Sequence, residues 1–209
     1  MKKSTESSGG REVHPPLGKL FIVSAPSGAG KSTLCLAARQ RIPGLRYSIS
    51  YTTRATRPGE TDGVDYHFIS EDDFRKGIEA NRWAEWARVH GHYYGTAADI
   101  IDAERKDGND ILMDIDVQGA LQLTRRYPDC VTIFILPPSV AVLEERLSGR
   151  GTEAKGELAR RIRTAEWEMS QQHRYDYVIV NDRLEPALER LVAIIERHRS
   201  TGTRRGGRA

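Results

Sequence analysis

Residues 25–33 read APSGAGKST and bring glycines, a lysine and hydroxyl side chains together in one short stretch. Gly28 and Gly30 let the backbone curl so that successive N–H groups point inward at an anion. Lys31 can then reach the β- and γ-phosphates of a nucleoside triphosphate, and the Ser32 hydroxyl can bind Mg²⁺. The generic pattern begins with glycine, whereas this chain has Ala25. The alternative is a glycine-rich turn before an ordinary helix. The predicted ATP ligands here are Ala25, Pro26, Ser27, Gly28, Ala29, Gly30, Lys31, Ser32 and Thr33.

Two aspartates follow the apolar run in ILMDIDV. A carboxylate at the end of a strand beside a phosphate loop helps to hold magnesium, and we assign Asp114 to that role. Asp116 lies two residues further on, on the same side of an extended strand, and is a second candidate ligand. Which aspartate serves the metal stays open at this point, as does a simple capping or turn role.

A second group of polar residues lies in SYTTRATRPGETDGVDYHF, residues 50–68. Arg54 and Arg57 can grip a phosphate through paired N–H donors, which arginine does better than lysine. The phenols of Tyr66 and Tyr94 can add further donors. The residues alone also allow a different interpretation, a charged loop facing solvent.

Short apolar runs alternate with helical patterns and supply the elements that must position these side chains. The runs are rich in β-branched residues, as in buried parallel strands, and they cover residues 19–25, 109–117, 131–136 and 177–181. The alternation predicts an α/β fold, a parallel sheet flanked by helices. The segment from Tyr47 to about Thr96 interrupts the pattern and is predicted to be an insertion beside the sheet.

Composition narrows the classes of function. The chain has 209 residues and a formal net charge of +3, which is too small to indicate a nucleic-acid binder. No apolar run approaches the roughly 20 residues that span a bilayer, and the first residues lack the apolar core of a secretory signal. Cys35 and Cys130 lie far apart without metal-ligand spacing, which predicts reduced thiols and a cytoplasmic protein.

The chain resembles the guanylate kinase family. TTRATRPGETDGVDYHF (52–68) is similar to the signature stretch of that family. Further blocks follow the family's order: APSGAGKST, EWARVHGHYYGT, ILMDIDVQG, PPSVAVLEERLSGRGTE and VIVND. The resemblance covers residues 18–199 as one domain of the P-loop type, between a polar tail at 1–17 and a basic tail at 200–209. It implies a GMP-binding insertion at about 47–98 and a helical lid at about 139–172.

The resemblance also implies roles for single residues. Ser50, Glu85 and Thr96 would read the base, because one carboxylate can accept from both N1–H and the exocyclic amine of guanine. Adenine would leave that carboxylate buried and unpaired. The GMP-binding residues implied are Ser50, Arg54, Arg57, Tyr66, Glu85, Tyr94, Thr96 and Asp116.

The lid of the family brings positive charge to the transferring phosphoryl group. The resemblance assigns that role here to Arg146, Arg150 and Arg161, beside Lys31. Lid closure would exclude water and limit hydrolysis. The late block VIVND places Asn181 near the adenine of ATP. Apart from the resemblance, these arginines also suit a helix face exposed to solvent.

The predicted reaction is the Mg²⁺-dependent transfer of a phosphoryl group from ATP to GMP, with dGMP as a further acceptor. The partners expected are these small molecules, without nucleic acid or membrane, and a homo-oligomer is left open. One competing class is a binding module of this fold that has lost catalysis, but such modules lack a working phosphate loop. A GTP-hydrolysing switch would need an N-K-x-D reader, and NDRL at 181–184 is not one. A kinase for another small acceptor requires that the Glu85 assignment fails.

Overall fold

The structure, a computed structural model, describes residues 16–89, 91–148 and 155–199, without the side chains of residues 155–157. The strands in these ranges are β1 (Leu20–Ser24), β2 (Arg46–Tyr47), β3 (Tyr51–Thr52), β4 (His67–Phe68), β5 (Trp83–Val89), β6 (His92–Ala97), β7 (Ile111–Asp114), β8 (Val131–Leu136) and β9 (Tyr177–Val180). The helices are α1 (Lys31–Arg41), α2 (Glu71–Glu79), α3 (Ala98–Lys106), α4 (Val117–Arg126), α5 (Val140–Ser148), α6 (Lys155–Ser170) and α7 (Leu184–His198). A 3₁₀ turn, Gln171–Arg174, follows α6.

Five parallel strands form the main sheet of the described ranges, in the order β2-β7-β1-β8-β9. The predicted α/β fold with a parallel sheet flanked by helices is confirmed. Phe21 and Val23 of β1 belong to the core shared with α1 and α7, whereas Leu20 and Ile22 pack with residues of α3 and α4. Both faces of β1 are therefore buried, which explains why its sequence is continuously apolar.

The segment that interrupts the alternation contributes a second sheet, in the order β4-β3-β6-β5. β5 and β6 pair antiparallel, in a register that sets Glu85 opposite Thr96. Helix α2 packs on this sheet through Phe74, which is fully buried and whose ring stacks on that of Trp83, with 4.3 Å between the centroids. The Ser70 hydroxyl caps α2 by accepting from the backbone N–H of Asp73.

Helices α5 and α6 pack together through Leu143, Leu147 and Ala165, all buried. Gly28 lies against α5, because a Cβ on it would stand 3.1 Å from Leu143 and 3.2 Å from Leu147, and Arg161 of α6 donates to the Ser27 hydroxyl at 3.4 Å. The two helices therefore cover one side of the loop that follows β1. Across the described ranges, every helix is too short or too polar to cross a lipid bilayer.

Candidate active site

The loop between β1 and α1 surrounds a cavity of ≈ 320 Å³. Gly28 and Gly30 have φ values of +90° and +87°, in the left-handed region that glycine adopts without strain. Helix α1 begins at Lys31 with no acidic residue in its first turn, so no carboxylate of the helix itself offsets its positive N-terminal end at the cavity. The cavity is lined by Ala25, Pro26, Ser27, Gly28, Gly30, Lys31, Ser32, Thr33, Asp116 and Glu168. These groups suit an anion with several oxygens, such as a chain of phosphates.

Lys31 is bound to the end of β7. Its Nζ lies 2.6 Å from Oδ1 of Asp114 and donates to the carbonyl oxygen of Ile115 at 2.9 Å. Burial alone lowers the Lys31 pKa, but the Asp114 carboxylate outweighs it and the net shift is upward. Lys31 therefore carries its charge at neutral pH, and it lines the cavity.

Asp116 acts as the N-cap of α4. Its Oδ1 accepts from the backbone N–H of Gly119 at 2.7 Å. The two aspartates have different roles. Asp114 is the last residue of β7 and pairs with Lys31, whereas Asp116 lies beyond the strand and begins the helix. The extended strand that was expected to carry both aspartates ends two residues before Asp116. Its carboxylate still lines the cavity.

Oxygen atoms are the protein ligands available for a metal at this cavity. The hydroxyl of Ser32, which lines the cavity, and the carboxylate of Asp114, which pairs with the cavity residue Lys31, are hard donors, which Mg²⁺ prefers. Among the described residues, no group of three His, Cys, Asp or Glu is placed to hold a metal ion. Since Mg²⁺ at phosphate sites is usually held by one or two protein oxygens and the phosphates themselves, the residues present fit that ion.

A buried carboxylate lies on the second sheet, at Glu85. The Thr96 hydroxyl donates to Glu85 Oε1 at 2.7 Å, and the Ser50 and Thr96 hydroxyl oxygens lie 3.4 Å apart. Glu85 is only 5% exposed, and burial raises its pKa to about 7, although the hydrogen bonds from Thr96 oppose the shift. The structure thus brings the three predicted base readers together, on β5, β6 and the turn before β3.

The absence of a side chain at Gly119 leaves space for the Glu85 carboxylate. A Cβ on Gly119 would stand 2.7 Å from Glu85 Oε2 and 2.5 Å from Ile115 Cγ2, closer than such contacts allow. The sequence reasoning missed this residue. A glycine inside a helix destabilises the helix by about 1 kcal/mol relative to alanine, so a glycine there is a signal of close approach by another group.

The predicted phosphate grip is partly assembled. The Arg54 guanidinium lies 5.5 Å from the centre of the Tyr66 ring, and the rings of Tyr66 and Tyr94 meet edge to face at 5.9 Å. Arg54 also donates through both terminal nitrogens to Glu60, at 3.0 and 2.7 Å. Arg57 is exposed, and its backbone N–H donates to the same carboxylate at 2.8 Å. Glu60 therefore shapes the arginine loop, a role that the sequence reasoning missed.

Helices α5 and α6 bring basic and acidic side chains towards the loop. Arg161 Nη2 lies 3.4 Å from the Ser27 hydroxyl, and Arg146 is half-buried on α5. Arg150, the third predicted lid arginine, lies outside the described residues. Glu168 of α6 also lines the cavity, and burial raises its pKa. Glu168 was not among the predicted residues, because its position on an ordinary helical pattern gives no signal.

Asn181 binds the backbone of the phosphate loop. Its side-chain amide donates to the carbonyl oxygen of Ala29 at 2.8 Å, and the residue is buried. A Cβ on Gly30 would stand 2.5 Å from the Asn181 Nδ2, so a side chain at position 30 would displace this amide. Asn181 was predicted to lie near the adenine of ATP. In the structure its side chain contacts the backbone of the phosphate loop.

Comparisons with known proteins follow the same outline. The model of the guanylate kinase family matches residues 17–198. A guanylate kinase of Thermotoga maritima is 43% identical over 187 residues, which cover 90% of each chain. One of Syntrophotalea carbinolica is 51% identical over 178 residues and 85% of each chain. The crystal structure of guanylate kinase from Anaplasma phagocytophilum superposes with a TM-score of 0.71 at 30% identity, over 90% of this chain and 88% of that one.

Proposed function

The chain belongs to the guanylate kinase family, and from that premise we infer that it transfers the γ-phosphoryl group of ATP to GMP, giving ADP and GDP. One observation carries the proposal for how it does so. The first turn of α4 borders both candidate sites: Asp116 lines the phosphate cavity, and Gly119 meets Glu85. A donor phosphate chain and an acceptor base can therefore bind on either side of one helix end.

We propose that residues 25–33 bind ATP, the phosphoryl donor. Lys31 would stabilise the negative charge on the phosphoryl group as it is transferred. In phosphoryl transfer the protein acts mainly by positioning two substrates and stabilising charge. The backbone N–H groups of the loop and the start of α1 would hold the phosphates. Asn181 would keep the loop in shape through Ala29.

The second sheet and its loops are proposed to bind GMP, the phosphoryl acceptor, by its phosphate and by its base. Arg54, Arg57, Tyr66 and Tyr94 would hold the phosphate, with Glu60 fixing the direction of the Arg54 guanidinium. The phosphate oxygen that attacks is already anionic near neutral pH, so the reaction requires no general base. The proposed site thus contributes position and charge only.

At the base, Glu85 would accept from N1–H and the exocyclic amine of guanine, and Ser50 would donate to O6. The Thr96 hydroxyl has a single hydrogen, which it donates to Glu85, so it would take part in base recognition through that carboxylate. None of these contacts involves the 2′-hydroxyl of the sugar. We therefore expect dGMP to be an acceptor as well.

Arg146, Arg150 and Arg161 are proposed to approach the transferring group as the lid closes. Arg161 is already within 3.4 Å of the loop, at Ser27. A closed lid would exclude water from the phosphoryl group, which favours GMP over water as the acceptor. Family membership implies a divalent metal, and we propose that it is Mg²⁺ held by Ser32 and Asp114 with the nucleotide. The ion would neutralise charge on the β- and γ-phosphates.

We also propose that the protein acts in the cytoplasm on small molecules. Both cysteines are free thiols, Cys35 buried and Cys130 half-buried, in keeping with a reducing compartment. Its substrates are the free nucleotides named above.

Product analysis tests the proposed reaction. ATP, GMP and Mg²⁺ are incubated with the protein, and the nucleotides are separated by chromatography. We expect ADP and GDP to appear in equal amounts, and to stop appearing when EDTA removes the metal. ADP formed without GDP would mean that water is the acceptor and would overturn the transferase assignment.

Acidification is expected to weaken the use of GMP. Glu85 accepts two hydrogen bonds only when ionised, and burial places its pKa at about 7. The KM for GMP should therefore rise as the pH falls below about 7, approaching tenfold per pH unit, while the KM for ATP changes little. Folding responds in the opposite sense: a raised carboxyl pKa favours the folded protein when protonated, so this contribution to stability is lost as the pH rises through about 7.

The control for this prediction is Glu85→Gln. The phosphate of GMP itself titrates near pH 6, and that effect persists in the variant, whereas the Glu85 effect does not. Measurements of kcat/KM from about pH 6 to about pH 8 should therefore give a shallower profile for the variant. Parallel profiles would show that Glu85 does not titrate with GMP recognition.

A further inference from the structure

Strand β5 carries Glu85 along the outer edge of the second sheet, because β5 pairs only with β6 in the described sheet order. An edge strand presents backbone N–H and C=O groups that no neighbouring strand satisfies. Helix α4 lies against this edge. That helix begins directly after Asp116, its N-cap, which also lines the phosphate cavity.

The side chain of Gln122 takes the place of a neighbouring strand at one residue of that edge. The backbone N–H of Trp86 donates to Gln122 Oε1 at 3.2 Å, and Gln122 Nε2 donates to the carbonyl oxygen of Trp86 at 2.9 Å. A primary amide is the only neutral side-chain group of glutamine's length that can accept from one backbone group and donate to the other. The pair of bonds fixes the position of β5 along and across α4.

The residue held in this way is the immediate neighbour of Glu85. Gly119 lies nearly one turn before Gln122 on α4 and meets the Glu85 carboxylate at the distance given above. The carboxylate therefore stands between Thr96, which donates to Oε1, and the first turn of α4. A shift of β5 away from α4 would change where Oε2 points, while the Thr96 bond within the sheet would survive.

We propose that Gln122 is a positioning residue for guanine recognition: it clamps β5 to α4 and so aims Glu85 at the base. This inference rests on the proposed function, because it presupposes that Glu85 reads guanine. Gln122 has no contact with substrate in this account and acts only through the strand. Its effect should therefore fall on the acceptor and on the discrimination between bases.

The test uses Gln122→Met, which keeps the length of the side chain and removes both hydrogen bonds. Gln122→Glu is a second variant, since it keeps an acceptor for the Trp86 N–H but sets a carboxylate oxygen against the Trp86 carbonyl. The matched control is Gln40→Met, the same substitution at an exposed position near the end of α1. Steady-state kinetics are measured with GMP, with IMP, which lacks the exocyclic amine, and with ATP.

We expect both Gln122 variants to raise the KM for GMP about fivefold. A misaligned Glu85 would lose binding free energy similar to that of one hydrogen bond to GMP, and that loss corresponds to a change of this size. The preference for GMP over IMP should fall by a similar factor, while the KM for ATP and the melting temperature stay near those of Gln40→Met. A loss of melting temperature with equal effects on GMP, IMP and ATP would reveal a purely structural role and overturn the proposal. So would kinetics that match the control.

The activity of the unmodified protein distinguishes a failure of the positioning role from a failure of the proposed function. If it phosphorylates GMP and prefers it to IMP, but the Gln122 variants match Gln40→Met, the positioning role is wrong and the proposed function stands. If it does not phosphorylate GMP at all, the proposed function fails and takes the positioning role with it.

Discussion

Lys31→Met is expected to lower kcat by at least about a hundredfold while leaving the affinity for GMP close to normal. Lys31 is the cation that the phosphate loop presents to the cavity, and methionine has similar length without the charge. The charge that moves onto the β–γ bridging region during transfer would then lose its nearest partner. The proposed GMP site lies on the other side of α4, so GMP binding is expected to persist.

The substitution also removes the partner of Asp114. That carboxylate is 11% exposed and lies 2.6 Å from the Lys31 nitrogen, so the variant leaves it poorly paired and the melting temperature should fall. GMP affinity is therefore measured by calorimetry well below the melting temperature of the variant. Lys106→Met, at an exposed position of α3, is the matched control and should retain full turnover. Normal turnover in Lys31→Met would remove the phosphate loop from the account.

Glu85→Gln is expected to reduce kcat/KM for GMP by about a hundredfold, with a much smaller change in the KM for ATP. The carboxamide keeps one oxygen, which the Thr96 hydroxyl already occupies at 2.7 Å in the present structure. The NH₂ group would then face the N–H donors of guanine, so two donors would meet in a buried site. Competition assays with GMP and IMP give a second reading, because the variant should lose its preference for the extra amine.

The matched control for Glu85→Gln is Glu79→Gln, which makes the same change at an exposed position at the end of α2. It should leave all kinetic parameters unaltered. An unchanged KM and kcat for GMP in Glu85→Gln would show that this carboxylate does not read the base. The loop and the fold would survive that result, and the acceptor would have to be sought among other nucleotides.

The main sheet was predictable because its strands carry their own local signal. The runs that form β1, β7 and β8 are buried on both faces, and such runs are apolar without interruption. The run that forms β9 was also expected to be buried, but β9 lies at the edge of the sheet and leaves Val178 and Val180 exposed. The strands β2, β3 and β4 have two residues each, too short for any period to show. Their pairing depends on residues far along the chain, such as Arg46 beside Ile111.

The candidate site divides in the same way. The loop before α1 was predictable from its own residues, since glycines, lysine and hydroxyls in one stretch have a joint chemical meaning. Glu60, Gly119 and Gln122 were not, because each matters through a partner elsewhere: Arg54, Glu85 and Trp86. Asp116 shows the limit of periodicity, since the strand ends before it and a helix begins.

Two sites carry the proposed reaction, one that holds ATP and another that selects guanine. The most direct measurement is the rate of ADP release from ATP and Mg²⁺ with GMP, dGMP, AMP, UMP and CMP as separate acceptors. The account predicts rapid release with GMP and dGMP and release near background with the other three. Comparable rates with AMP or a pyrimidine nucleotide would contradict the guanine reader, and no release with any acceptor from folded protein would contradict the enzyme.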